Sequence, residues 1–262
     1  TLTVGSTVAN LAFTGNGSSV TNAVTFTNDG TLTLGQDGGT QTYNGGLTAS
    51  GVGSTVTLNG TIAASDDAIT FGAVTLGSNT VIDTNAAGTN TGDLTIAAVT
   101  GGSNTLTLST EDNVANANIT ASGAISGVTT LTLSNVGGTA TLSADVDVTT
   151  FTVGNTVANL AFTGNGSSVT NAVTFANDGT LTLGTSGGTQ TYNGGLDASG
   201  VGGTVTLNGT IASSNDAVVF GAVTLGSAVT IDTNASSNAA DITIAAVTGG
   251  SNTLTLTTED NV

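Results

Sequence analysis

Residues 3–26, TVGSTVANLAFTGNGSSVTNAVTF, return at 152–175 as TVGNTVANLAFTGNGSSVTNAVTF, an offset of 149 with a single change, Ser6 to Asn155. Self-similarity at a fixed period is the sequence signature of repeat architectures. The match extends from Thr1–Val114 to Thr150–Val262, with about four positions in five identical, and one deletion near Asn238 shortens the offset to 148 from Asp241 onward. Ala115 to Thr149 completes the first copy. The chain thus divides into residues 1–149, a first long repeat, and residues 150–262, a second, incomplete copy of it. No atypical capping segment stands at either end, so the chain reads as a window on a longer array or as a subunit whose ends stack on neighbouring copies.

Within each copy, threonine alternates with apolar residues: TLTV at Thr1, VTF at Val24, TLTL at Thr31, TVTL at Thr55, LTI at Leu94, TLTL at Thr105 and TLTL at Thr130. A period of two predicts strands, with Leu32, Leu34, Val56, Leu58, Leu106 and Leu108 on an inner face and the threonines on an outer one. Threonine suits that place, because β-branching favours extended backbone and its hydroxyl accepts a solvated surface. Asn28-Asp29-Gly30, Asp37-Gly38-Gly39, Asn44-Gly45-Gly46, Asn59-Gly60 and Gly101-Gly102 predict tight turns, since Gly and Asn tolerate positive φ. No stretch free of breakers and β-branched residues is long enough for a helix.

Two all-β arrangements satisfy this pattern, a string of sandwiches or one parallel β-helix. Sandwich domains carry large buried aromatics and distinct linkers, whereas here there is no Trp, there are only 7 Phe and 2 Tyr, and Gly, Thr and Asn are spread evenly. In a solenoid each coil presses only on its neighbours, so ladders of small aliphatic side chains and Thr can fill a narrow interior. The absence of proline fits, because an inner coil needs every backbone N–H. We expect one continuous β-solenoid, with coils of about 20 to 25 residues rising about 4.8 Å each, so that a long repeat of six or seven coils spans on the order of 30 Å.

Composition narrows the function. There are 17 Asp and Glu and no Lys, Arg or His, so no side chain can pair with another in a salt bridge and all side-chain charge is repulsive. Nucleic acid and anionic membranes are excluded as partners, since both are held through Lys and Arg. Non-specific cations are expected as counterions. There is no Cys, no signal-like leader and no run of 18 apolar residues that would span a bilayer. Lys and Pro, the usual guards of exposed strand edges, are both missing, so end-to-end association is expected.

FGAVTLGSNTVIDTNAAG at Phe71, FGAVTLGSAVTIDTNASS at Phe220 and LTIAAVTGGSNTLTLSTEDNV at Leu94 resemble the repeats of giant bacterial β-strand-repeat surface proteins, which are similar to the filamentous-haemagglutinin group of adhesins. The resemblance implies a right-handed parallel β-helix, export, an extracellular place at the bacterial surface or in a biofilm matrix, and a role in adhesion or filaments.

Candidate sites are few. A paired-carboxylate glycosidase needs no base, and Asp66 with Asp67, Glu111 with Asp112 and Glu259 with Asp260 are the available pairs. Adjacent strand residues point to opposite faces, and Asp66 becomes Asn215 in the second copy, so no catalytic residue is assigned and no enzyme is expected. Calcium would suit turn carboxylates, but no Ca²⁺-loop motif is present, and Asn28-Asp29-Gly30 and Asn177-Asp178-Gly179 read as ordinary turns, so no metal or cofactor is assigned. Flat ranks of Thr could bind ice or cell-surface glycans. Asn16-Gly17-Ser18 and Asn59-Gly60-Thr61 are sequons of the kind such a composition produces by chance. The function expected is a structural extracellular fibre or adhesin stalk, with a glycan- or ice-binding module as the alternative.

Overall fold

The computed structural model describes residues 1–85, 92–110, 116–233 and 240–258. Among these there is no helix, and parallel strands stack about 22 residues apart into a β-solenoid. Three columns of inward residues define its faces. On the first face, Leu11 is followed by Leu32, Val56, Val74, Val99, Ile125 and Val146. On the second, Ser18, Gln41, Ile62, Ile82, Leu108, Leu133 and Val153 succeed one another. On the third, Val24, Leu47, Ile69, Leu94, Ile119 and Ala140 do so.

The columns continue across the boundary between the repeats, but each changes its occupant. Leu160, the counterpart of Leu11 on the first face, pairs with Ala140 on the third. Val169, the counterpart of Val20 on the second face, pairs with Val148 on the first. Phe175, the counterpart of Phe26 on the third face, bridges Val153 on the second. The chain makes six coils from Leu11 to Val146 and covers two more faces before reaching Leu160. A long repeat is therefore six and two-thirds coils, and the second copy is turned by a third of a revolution about the axis.

Local chemistry explains the corners. Asn10 Oδ1 accepts from the Thr31 N–H at 2.9 Å and the Thr31 hydroxyl at 3.0 Å, and Asn159 does the same for Thr180 at 2.9 Å in both cases. Asn16, Asn79 and Asn118 likewise accept from the backbone N–H of Thr40, Thr105 and Thr139 on the next coil. Asp93 and Asp145 use Oδ1 in the same way, on Asn118 N–H and Gly166 N–H. The corner side chains thus satisfy backbone donors that the strand ladder leaves over.

Some local expectations are corrected. TLTV at Thr1 is not a strand; only Val4 pairs, in an isolated bridge to Phe26. Asn59-Gly60 is not a turn but lies inside the strand Val56–Ala64, at a register shift where Gly60 has φ 63°. A Cβ on Gly60 would come within 2.3 Å of the Gln36 carbonyl oxygen, so both the left-handed φ and the close approach exclude a side chain there. Strands are also not uniformly short: Ile69–Asp83 and Val218–Asp232 run through corners without a break.

The interior is not filled by small residues alone. Phe26, Phe71, Phe151, Phe162, Phe175, Phe220, Tyr43 and Tyr192 are buried. At the repeat boundary four of them close a ring of edge-to-face contacts. Phe151 meets Phe162 at 5.3 Å and Phe175 at 6.0 Å, and Tyr192 meets the same two at 6.4 and 6.2 Å. Leu2 occupies the place of Phe151 in the first copy, and there Tyr43 contacts Phe13 and Phe26 without a fourth ring. Phe162→Ala should cost about 3–5 kcal/mol. Because coils contact only their neighbours, hydrogen exchange should lose protection in the coils around residues 140–185 and keep it near residues 56–82; uniform loss along the rod would contradict this description.

Candidate functional site

Of the three carboxylate pairs, Asp66 with Asp67 alone lies among the described residues. Asp66 and Asp67 sit in a bend after Val56–Ala64, where Asp66 is half-buried at φ 68°, its N–H donating to the Thr84 carbonyl at 3.0 Å, and Asp67 is exposed. Asn215 repeats the Asp66 geometry at φ 70°. Glu111, Asp112, Glu259 and Asp260 lie outside the described residues. Among the described residues there is no group of three or more Asp, Glu, His or Cys able to hold a metal ion. No described helix is long and apolar enough to cross a membrane.

Asn28 and Asn177, read from the sequence as turn residues, are fully buried. Asn28 Nδ2 donates to the carbonyls of Gly30 and Thr31 at 3.2 and 3.0 Å, and Asn177 Nδ2 to those of Gly179 and Thr180 at 3.2 and 2.9 Å. Each clamps its own corner from inside, while Asp29 and Asp178 beside them are exposed.

A second buried bracket went unread in the sequence. In TQTY at Thr40–Tyr43 and Thr189–Tyr192, Gln41 and Gln190 point inward. Gln41 Nε2 donates to the Phe13 carbonyl at 2.8 Å, and Tyr43 Oη donates to Gln41 Oε1 at 3.1 Å. Gln190 and Tyr192 repeat this with the Phe162 carbonyl at 2.9 Å and an Oη–Oε1 distance of 3.0 Å. Burial pushes both phenols well above their ordinary range, so they act as neutral donors. The only signal available was an i, i+2 Gln–Tyr pair recurring at an offset of 149.

Two shallow grooves mark the surface. One, of about 280 Å³, lies across the repeat boundary between Ser103, Thr129, Asp147, Thr149, Ser168 and Thr170; the other, of about 290 Å³, lies between Ser54, Thr55, Thr75 and Thr100. Asp147 is the only ionisable group in either lining. The third face carries a longer feature, a rank of outward threonines one per coil: Thr25, Thr48, Thr70, Thr95, Thr120 and Thr141. After Ala161 it resumes with Thr182, Thr206, Thr224 and Thr248. Those four are counterparts of Thr33, Thr57, Thr75 and Thr100, which lie on the first face of the first copy. The third of a revolution between copies is what delivers them to the same face.

No family model, curated protein or solved structure matches the chain. Its function therefore has to be argued from the solenoid itself.

Asp83 offers a test of the electrostatics. Desolvation raises its pKa, opposed in part by hydrogen bonds from the Asn85 N–H and the Ser109 side chain. A raised folded-state pKa means that protonation favours the folded chain. The stability this gives is full below the ordinary carboxylate value and is lost as pH rises through the folded pKa. Asp83→Asn should accordingly raise the thermal midpoint at pH 7 and shrink the gain seen on acidification toward pH 4. An unchanged pH dependence would show that Asp83 contributes nothing to it.

Proposed function

We propose that this chain is a structural rod, part of an extracellular fibre or adhesin stalk at a bacterial surface, whose ends associate with like coils. The observation that carries this reading is the unbroken backbone ladder across the repeat boundary, through Leu133–Val153, Ala140–Leu160 and Val148–Val169. Separate domains joined by a linker would bend there; a shared ladder makes two repeats one stiff body. Length then follows from repeat number, at about 4.8 Å per coil. The charge agrees with such a role. A net charge of −17 without a single basic side chain keeps rods apart sideways and is screened in saline surroundings.

The resemblance to filamentous-haemagglutinin-like repeats supports the same reading from composition. Labelling producing cells with antibody to this chain and imaging them by electron microscopy tests it. Filaments decorated along their length outside the cell are expected, and label confined to the cell interior would overturn the proposal.

A second reading rests on the threonine rank of the third face, as a surface for glycan or ice. Retention of the chain on immobilised polysaccharide or on ice, surviving high salt and lost in Thr95→Val/Thr120→Val, would favour it over a passive rod.

Charge gives a further expectation. Screening contracts from about 30 Å at 0.01 M to about 3 Å at 1 M ionic strength. Sedimentation should therefore show more association at molar salt than at low salt; association that weakens with salt would mean that charge attraction, not backbone pairing, joins the ends.

A further inference from the structure

The dipeptide Asn-Gly occurs six times, beginning at Asn16, Asn44, Asn59, Asn165, Asn193 and Asn208. In this dipeptide the backbone nitrogen after Asn can reach the Asn side-chain carbonyl, because Gly has no Cβ to hinder the approach. The fold divides the six into two kinds. In four of them the Gly N–H is already committed. Gly17 N–H donates to the Thr40 carbonyl at 2.9 Å, Gly60 N–H to Ser78 Oγ at 3.1 Å, Gly166 N–H to Asp145 Oδ1 at 2.7 Å and Gly209 N–H to Ser227 Oγ at 3.2 Å. A nitrogen held in this way cannot turn its lone pair on Cγ without first giving up that bond.

The other two, Gly45 and Gly194, donate to no acceptor among the described residues. They are counterparts at an offset of 149, and each is half-buried in a turn closed by its neighbour, Gly46 N–H to the Tyr43 carbonyl and Gly195 N–H to the Tyr192 carbonyl, both at 2.9 Å. The Asn side chains at these turns are also held between two hydroxyls. Asn44 Oδ1 accepts from Ser65 Oγ at 2.9 Å, and its Nδ2 donates to Ser19 Oγ at 3.3 Å. Asn193 repeats this with Ser214 Oγ at 2.8 Å and Ser168 Oγ at 3.3 Å. A hydroxyl donating to Oδ1 draws electron density from Cγ and stabilises the negative charge that develops on Oδ1 when a nucleophile adds.

We propose that Asn44 and Asn193 are sites of spontaneous deamidation, one in each copy of the repeat. The Gly45 or Gly194 nitrogen adds to Cγ, with Ser65 or Ser214 donating to the developing oxyanion. The Cγ–Nδ2 bond then breaks, Nδ2 takes the proton lost by the Gly nitrogen, and ammonia leaves a five-membered succinimide. Water opens that ring at either carbonyl. Breaking the new N–Cγ bond gives Asp, and breaking the original peptide bond gives isoaspartate, whose backbone is one carbon longer. Either product adds a negative charge to a chain with no basic side chain to pair it.

The test is to age the 262-residue chain at mildly alkaline pH, then unfold it, digest it with pepsin in acid and map the masses. Asn44 and Asn193 should gain Asp and isoaspartate several-fold faster than Asn16, Asn59, Asn165 and Asn208. In chain aged in denaturant, where only the dipeptide counts, the six rates should converge. Ser65→Ala should slow Asn44 by about threefold to tenfold, the worth of one neutral hydrogen bond, with Asn193 in the same chain as the unchanged reference; Ser214→Ala should do the converse. Conversion of Asn44 and Asn193 in the folded chain no faster than at the other four sites overturns the proposal, and that comparison stands even where a serine variant fails to fold. An unchanged Asn44 rate in folded Ser65→Ala overturns the part given to the hydroxyl.

Discussion

The hydrogen bond from the backbone of one coil to the backbone of the next is the constraint from which the rest of this molecule follows. A parallel ladder closed on three faces leaves no internal edge, so nearly every residue is committed to a neighbour about 22 positions away. Side chains then have two tasks. They fill the space inside the ladder, and they satisfy the donors that corners expose. Leu, Val, Ile and the buried aromatics do the first; Asn10, Asn16, Asn79, Asn118 and Asn159 do the second. The high Asn content is thus a structural requirement of the corners.

The same constraint explains the carboxylates. In a chain with no basic side chain, Asp has no ion pair to make, and Asp93 and Asp145 serve as corner acceptors for backbone N–H groups, interchangeable in role with Asn. The replacement of Asp66 by Asn215, with both at a left-handed φ, makes the same point. A reaction that depended on the charge at Asp66 would not survive the exchange, whereas a bend that needs a short polar residue tolerant of positive φ does.

The architecture was legible from the sequence because it rests on periodicity. Alternation of two gave the inner columns, and six of the seven Thr-apolar segments lie in strands at or near their expected places. What was not legible depended on contacts between distant residues. TLTV at Thr1 has the same local pattern as TLTL at Thr31, yet only Val4 pairs, in a bridge to Phe26. Gly60 carries a turn signal that the chain uses as a bulge. Nothing local marks Gln41 and Tyr43 as an inward pair; the Phe13 carbonyl on the coil below is what Gln41 reaches from inside. The aromatic ring was hidden for the same reason, since Phe151, Phe162, Phe175 and Tyr192 are spread over some forty residues and converge only because the coil length brings them together.

The third of a revolution between copies follows from the repeat length: 149 residues do not make a whole number of coils. At the boundary Leu160 pairs with Ala140, and Phe151, which stands where the first copy has Leu2, contacts both Phe162 and Phe175. A repeat of six whole coils would instead bring Thr174, Asp197, Val219 and Thr243 to the third face after Thr141, and the rank would be interrupted at Asp197 and Val219. The repeat as it stands lets the Thr33-type series take over where the Thr25-type series ends. One outer rank, interrupted at Ala161, is thereby assembled from non-equivalent threonines of the two copies, which no reading of either copy alone would reveal.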